Sequence, residues 1–223
     1  MKRLDVCDLG RCRYSPVLRL QERLVERRLQ GDIPDTLLLL EHEPVYTLGR
    51  NADEGNLLLS AEKCRERGID VVRIGRGGDV TFHGPGQLVG YPIFDLRSRG
   101  RRVLWYVNGL EELLIRTLGD FGITGRRDSI NRGVWVGEKK IAAIGVRVTR
   151  FIAMHGFSLN VDPDLSFYEG IVPCGIRDRG VTTIRDSLGK VDKADVRRRL
   201  VERCVDVFGF EHVTWIDEET IEA

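Results

Sequence analysis

No stretch of the sequence approaches 18 uncharged apolar residues, so none of it reads as a membrane-spanning helix. The opening MKRLDVCDLGRCRYSP is charged and lacks the continuous apolar run that a secretion signal needs. Neither sign of charge is in excess: 35 Lys plus Arg stand against 34 Asp plus Glu, a formal net of +1. A general nucleic-acid binder shows a basic surplus, so that class is not expected. No Cys-x-x-Cys pair occurs among Cys7, Cys12, Cys64, Cys174 and Cys204, which argues against zinc and thioredoxin-like chemistry; no metal is expected. Gly-Lys-Ser and Gly-Lys-Thr are both missing, so there is no P-loop. Repeats, low-complexity tracts and long linkers are missing too.

What remains is a chain of 223 residues, 42% hydrophobic and 31% charged. It is too apolar for disorder and long enough to bury roughly 70–75% of its unfolded surface without disulfide or metal. The expectation is a cytoplasmic protein whose cysteines are free thiols, most of them small core hydrophobes.

Ser15-Pro16 reads as a helix start, with Val17, Leu20, Leu24 and Val25 on one face and a stop near Gly31. The runs 36–40, 45–48 and 71–74 read as strands, and 60–67 as a short helix. Residues 87–96 are extended. Val103, Val107, Leu110, Leu114, Leu118 and Phe121 recur at helical spacing over 103–121. Two β-rich runs flank Gly137-Glu138 as a hairpin, 151–161 continues as a strand, and helices follow from about 182 and over 193–208. The pattern predicts one domain over 1–223, an α/β fold of the α+β type with a mixed sheet flanked by helices and a possible small subregion from about 190.

Residues 75–87, GRGGDVTFHGPGQ, hold five glycines. Such density means positive φ or close approach to something. Arg76, Thr81, His83 and Gln87 lie between the glycines, a polar set that a purely structural turn does not need, so the segment is a candidate ligand loop. His155 is a similar candidate; His42 reads as structural. Two arginine groupings, Arg97, Arg99, Arg101 and Arg102, then Arg147 and Arg150, read either as solvated charge or as a docking face for an acidic protein.

Cys174 sits in Val-Pro-Cys-Gly-Ile, held on a constrained turn between proline and glycine. A free thiol has a pKa of about 8.5 and needs a nearby base or cation to serve as a nucleophile at neutral pH. Lys140, one of six lysines, opens the apolar strand IAAIGV and is a candidate for that role. The ordinary alternatives stand beside this: a lone cysteine is mostly structural and a lysine near a hairpin tip mostly solvated.

The segment RGGDVTFHGPGQLVGYP at 76–92 resembles the signature of the octanoyl-[acyl carrier protein]:protein N-octanoyltransferases of lipoate biosynthesis. EHEPVYTLGR at 41–50, KIAAIGVRV at 140–148 with HGFSLNV at 155–161, and IVPCGI at 171–176 agree in order and spacing. The resemblance covers about residues 35–190. It implies a fold like the catalytic domain of biotin and lipoate protein ligases. It implies an acyltransferase that moves an octanoyl group from octanoyl-acyl carrier protein to a lysine of lipoyl domains, those of the 2-oxoacid dehydrogenase complexes and the glycine cleavage H protein. Cys174 matches the family's acyl-thioester cysteine, and Lys140 the lysine that lowers its pKa. The substrate-contacting segments match Arg76, Gly77, Gly78, Asp79, Val80, Thr81, Phe82 and His83, then Ala143, Ile144 and Gly145, then His155, Gly156 and Phe157. Val80, Ile144 and Phe157 are expected to wall the acyl groove. No cofactor, nucleic acid or membrane is expected, and the chain is expected to be a monomer. Three alternatives remain: an ATP-dependent lipoate or biotin ligase of the same fold, a non-catalytic binder of lipoyl domains or acyl chains, and a hydrolase pairing Cys174 with His83 or His155.

Overall fold

The computed structural model describes residues 2–97, 100, 102–173 and 179–222. The chain opens with β1 (Arg3–Cys12), α1 (Tyr14–Gln30), β2 (Asp35–His42), β3 (Val45–Leu48) and α2 (Ala61–Glu66). Then come β4 (Asp70–Arg73), β5 (Val80–His83), β6 (Gln87–Ile93), α3 (Val103–Gly119), β7 (Arg126–Arg127) and β8 (Val134–Val136). It continues with β9 (Lys139–Thr149), β10 (Ile152–Asn160), α4 (Ile184–Leu188), α5 (Lys193–Phe208), β11 (His212–Trp215) and α6 (Glu218–Glu222).

An eight-stranded mixed sheet runs in the order β11-β1-β2-β6-β10-β9-β8-β7, with a three-stranded sheet β4-β3-β5 beside it. β1 lies parallel to both β2 and β11, whereas β2-β6, β6-β10 and β10-β9 are antiparallel. The apolar run of β2 follows from its central place: Leu37 and Leu39 pack toward α3 and α5, and Leu38 and Leu40 toward α1. A strand covered on both faces has no polar side to show.

Helix α1 ends, as its sequence indicates, at Gly31 with φ 90, the left-handed conformation that glycine adopts without steric cost. Its start differs from the expectation. The helix begins at Tyr14 with Arg13 in the capping position, so Ser15 is no cap. Pro16 is tolerated because first-turn N–H groups have no helical acceptor. The supposed loop over 75–87 contains strand β5, whose four residues are all buried. The β9-β10 turn carries Arg150 and Phe151 at positive φ, the geometry of a tight two-residue hairpin turn. Arg97 pairs with Asp95, and Arg150 with Glu26; Arg99 and Arg101 lie outside the described residues. Among the described residues no helix is long and apolar enough to cross a membrane.

β6 and β10 approach closely at Gly90 and Gly156. A Cβ on Gly156 would run into the Gly90 carbonyl and the Pro92 ring, and one on Gly90 would strike the Phe157 ring. Gly156→Ala is expected to destabilise the fold by about 1–3 kcal/mol, seen as a fall in melting temperature of roughly 3–10 °C. An unchanged melting curve would mean that the two strands are less tightly apposed.

Candidate active site

The site is built where the loop between β4 and β5 crosses β9 and β10. Gly78, at φ 88, lets that loop lie flat against Gly49. Arg76 is buried; its Nη2 donates to the Thr47 carbonyl at 2.7 Å and to Thr47 Oγ1 at 2.9 Å. The Asp79 carboxylate accepts from the Val80 N–H at 2.7 Å and from Asn56 Nδ2 at 2.5 Å. The loop is therefore fixed from both sides before any ligand arrives.

Between this loop and the β9-β10 pair lies a narrow chamber. Arg76, Gly78 to Thr81, His83, Ala143 to Gly145 and His155 to Phe157 all line it. Gly77 lines the open cleft that adjoins it across Gly78, Asp79, Ile144 and Gly145. Phe82 does not reach either space. Strand alternation turns it the other way, to stack on Phe167 with ring centroids 4.8 Å apart and pack with Tyr46 and Tyr168. Val80, Ile144 and Phe157 are among the residues that line the chamber.

Two histidines, His83 and His155, line the chamber, and the His42 ring lies 5.8 Å from that of His83. His42 faces the Cys12 carbonyl through Nδ1 at 3.1 Å and the Tyr91 hydroxyl through Nε2 at 2.8 Å. A carbonyl only accepts, so Nδ1 carries the proton and Nε2 accepts from Tyr91. His83 Nδ1 donates to Gln87 Oε1 at 2.7 Å, while Gln87 Nε2 donates to Asn160 Oδ1 at 2.9 Å. The His83 ring stacks parallel to Tyr14 at 6.3 Å. Burial lowers the pKa of His42 to about 4. Burial, then the neighbouring His42 and Arg76, lower His83 to about 3. Burial, then Arg76 and Arg147, lower His155 to about 3. All three are neutral at neutral pH. Tyr14, Tyr91 and Ser158 also line the chamber. Tyr91 lay inside the quoted signature; for Tyr14, at the first turn of α1, the sequence offers no local signal.

Lys140 is buried although it stands one residue from a hairpin tip. Its Nζ donates to the Arg132 carbonyl at 3.0 Å and lies 5.2 Å from the Trp135 ring centroid. Arg132 is anchored by Asn108 Oδ1 at 2.9 Å and by the buried Glu111 at 3.2 Å. Arg179 also stacks on Trp135, at 3.8 Å, and pairs with Asp128 at 2.8 Å. Those contacts hold the Asp128 carboxyl well below the usual carboxylate range.

Cys174 lies outside the described residues, as do 175–178. The segments on either side of it are fixed. Before it, the Val172 N–H donates to the Asn56 carbonyl at 2.7 Å, and Ile171 bridges Leu57. After it, the Lys140 N–H donates to the Gly180 carbonyl at 2.9 Å, and the Thr182 N–H donates back to the Lys140 carbonyl at 3.0 Å. One end is thus tied beside Asp79 of the glycine loop and the other to Lys140 itself.

Residues 13–205 match the family described as the lipoyl protein ligase A/B catalytic domain. The chain belongs to that family. It is 47% identical over 216 residues to an octanoyltransferase of Alkaliphilus metalliredigens, covering 96% of this chain and 99% of that protein. It is 50% identical over 210 residues to an octanoyltransferase of Rubrobacter xylanophilus, covering 92% and 94%. With such relatives it is an enzyme, an acyltransferase. Its fold is like that of a lipoate-protein ligase A solved with ATP, at a TM-score of 0.79 and 18% identity over 97% of this chain and 91% of that one. A biotin protein ligase of Aquifex aeolicus, solved with biotin and ATP, is more distant, with a TM-score of 0.55 and 16% identity over 92% and 70%. Among the described residues, no group of three or more His, Cys, Asp or Glu side chains could hold a metal ion.

The buried histidines set a pH dependence. An unfolded histidine, with a pKa near 6.5, takes up a proton that the folded ring refuses. Stability is therefore fully present above pH 6.5 and falls as pH drops toward the folded values of about 4 and about 3. Melting temperature measured from pH 7.5 to 4 is expected to decline below 6.5, less steeply in His42→Gln. A flat profile would show that these rings are not buried and neutral.

Proposed function

We propose that the chain transfers an octanoyl group from octanoyl-acyl carrier protein to a lysine ε-amine of lipoyl domains, through a thioester on Cys174. The observation that carries this reading is the setting of Lys140: its ammonium is buried, its main chain is bonded to the residues that follow Cys174, and the chamber of Val80, Ile144 and Phe157 begins three residues along β9. The acceptors are the lipoyl domains of the 2-oxoacid dehydrogenase complexes and the glycine cleavage H protein, and residues 1–223 act as one catalytic domain.

The chemistry follows from the groups. A fixed positive charge beside a thiol favours the thiolate. The thiolate adds to the carbonyl carbon of the donor thioester, a C–S bond forms, and the carrier's thiol leaves with a proton. The acceptor lysine then adds to the new thioester, the amide C–N bond forms, and the Cys174 thiolate departs. The first exchange swaps one thioester for another and is nearly balanced; amide formation is downhill, so no nucleotide is consumed. Burying about seven acyl carbons in the chamber supplies at most roughly 5–6 kcal/mol of binding.

Intact-mass measurement after mixing with octanoyl-acyl carrier protein, without ATP, tests this. The wild type is expected to gain one octanoyl group, which a lipoyl domain then discharges, and Cys174→Ala to gain none. An adduct that persists on Cys174→Ala, or a wild type that transfers only when ATP is added, contradicts the proposal.

A further inference from the structure

His155 has no part in the transfer steps above, yet its position is unusual. In the β9-β10 register Ala142 faces Leu159, Ala143 faces Ser158 and Val146 faces His155. His155 is thus level with a residue six positions along β9 from Lys140, roughly 20 Å away at strand spacing. It lines the end of the chamber remote from the lysine, too far to share a proton with it. Its backbone is left-handed in mid-strand, at φ 54, a strain that persists only where the surroundings impose it. Gln21 Oε1 accepts the His155 main-chain N–H at 2.9 Å. The residue is 2% exposed. Among the described residues neither ring nitrogen of His155 has a hydrogen-bond partner, and nor does Gln21 Nε2. Buried polar atoms are nearly always paired, so the two bare ring nitrogens of a residue that lines the chamber mark a place meant to meet something polar.

We propose that His155, braced from behind by Gln21, forms a polar end wall that reads the tail of the bound acyl group, rejecting saturated chains long enough to press on it and accepting a tail that ends in a hydroxyl. This rests on the acyl-transfer reading above. A neutral imidazole offers one donor and one acceptor, the complement of a hydroxyl. A longer alkyl chain would cover the ring nitrogens without supplying hydrogen bonds, and the penalty for excluding even the water that could reach them falls on binding. The apolar walls of Val80, Ile144 and Phe157 hold the methylenes; the end wall sets where they must stop.

The test uses neutral N-acetylcysteamine thioesters carrying octanoyl, decanoyl, dodecanoyl and 8-hydroxyoctanoyl groups. Acyl-enzyme formation is read by intact mass, and rates are compared as ratios within each protein so that the folded fraction cancels. The wild type is expected to take 8-hydroxyoctanoyl at least as fast as octanoyl, and dodecanoyl at least roughly tenfold more slowly. In His155→Leu the dodecanoyl-to-octanoyl ratio is expected to rise roughly tenfold and the hydroxyoctanoyl-to-octanoyl ratio to fall by a similar factor. Gln21→Met, which leaves the strained residue in place, is expected to move both ratios the same way by a smaller factor. A wild type that accepts dodecanoyl as fast as octanoyl, or ratios unchanged in an active variant, overturns the inference. A wild type acylated by none of the thioesters and by no octanoyl-acyl carrier protein contradicts the transfer reading instead.

Discussion

The rest of the site depends on a buried ammonium at the start of β9. Lys140 Nζ is held by the Arg132 carbonyl and the face of Trp135. In the proposed chemistry this ammonium is the charge that offsets a thiolate at Cys174. The lysine cannot retreat to solvent. Its main chain is bonded on one side to Gly180 and Thr182, and the loop bearing Arg132 is pinned to the buried Glu111.

β9 organises the molecule around this charge. Near Lys140 the strand meets the segment that returns from Cys174; further along, Ala143, Ile144 and Gly145 line the chamber. Gly145 lets the glycine loop come down onto the strand, since a Cβ there would press on the Arg76 side chain at 2.9 Å. Beyond it, the register brings His155 to the far end. On the proposed reading, chemistry and selectivity are separated along one rigid element, an arrangement that holds geometry better than a loop can.

Much of this was legible in the sequence because the signals were local. The period of α3, the doubly buried run of β2 and the turn at Gly137-Glu138 each follow from spacing alone. The polar residues set among glycines singled out the loop that lines the chamber. What escaped was non-local or hidden by composition. β1 alternates too irregularly to announce itself, and β11 exists because it pairs in parallel with β1 from the other end of the chain. The strand β5 was masked by flanking glycines, and Phe82 was carried into the substrate set although strand alternation points it away. Ser15-Pro16 is a good helix start by residue type, yet the helix begins two residues earlier, with Arg13 at the cap and Tyr14 first in the helix. No local rule could show that Tyr14 and His155, more than half the chain apart, would share one chamber.

The central claim is that the Lys140 charge activates Cys174. It is tested most directly by the pH dependence of the alkylation of Cys174, followed by peptide mapping in the wild type and in Lys140→Met. The account predicts a midpoint well below the free-thiol value of about 8.5 in the wild type, rising by roughly 1–2 units in the variant. Superimposable titration curves would contradict it.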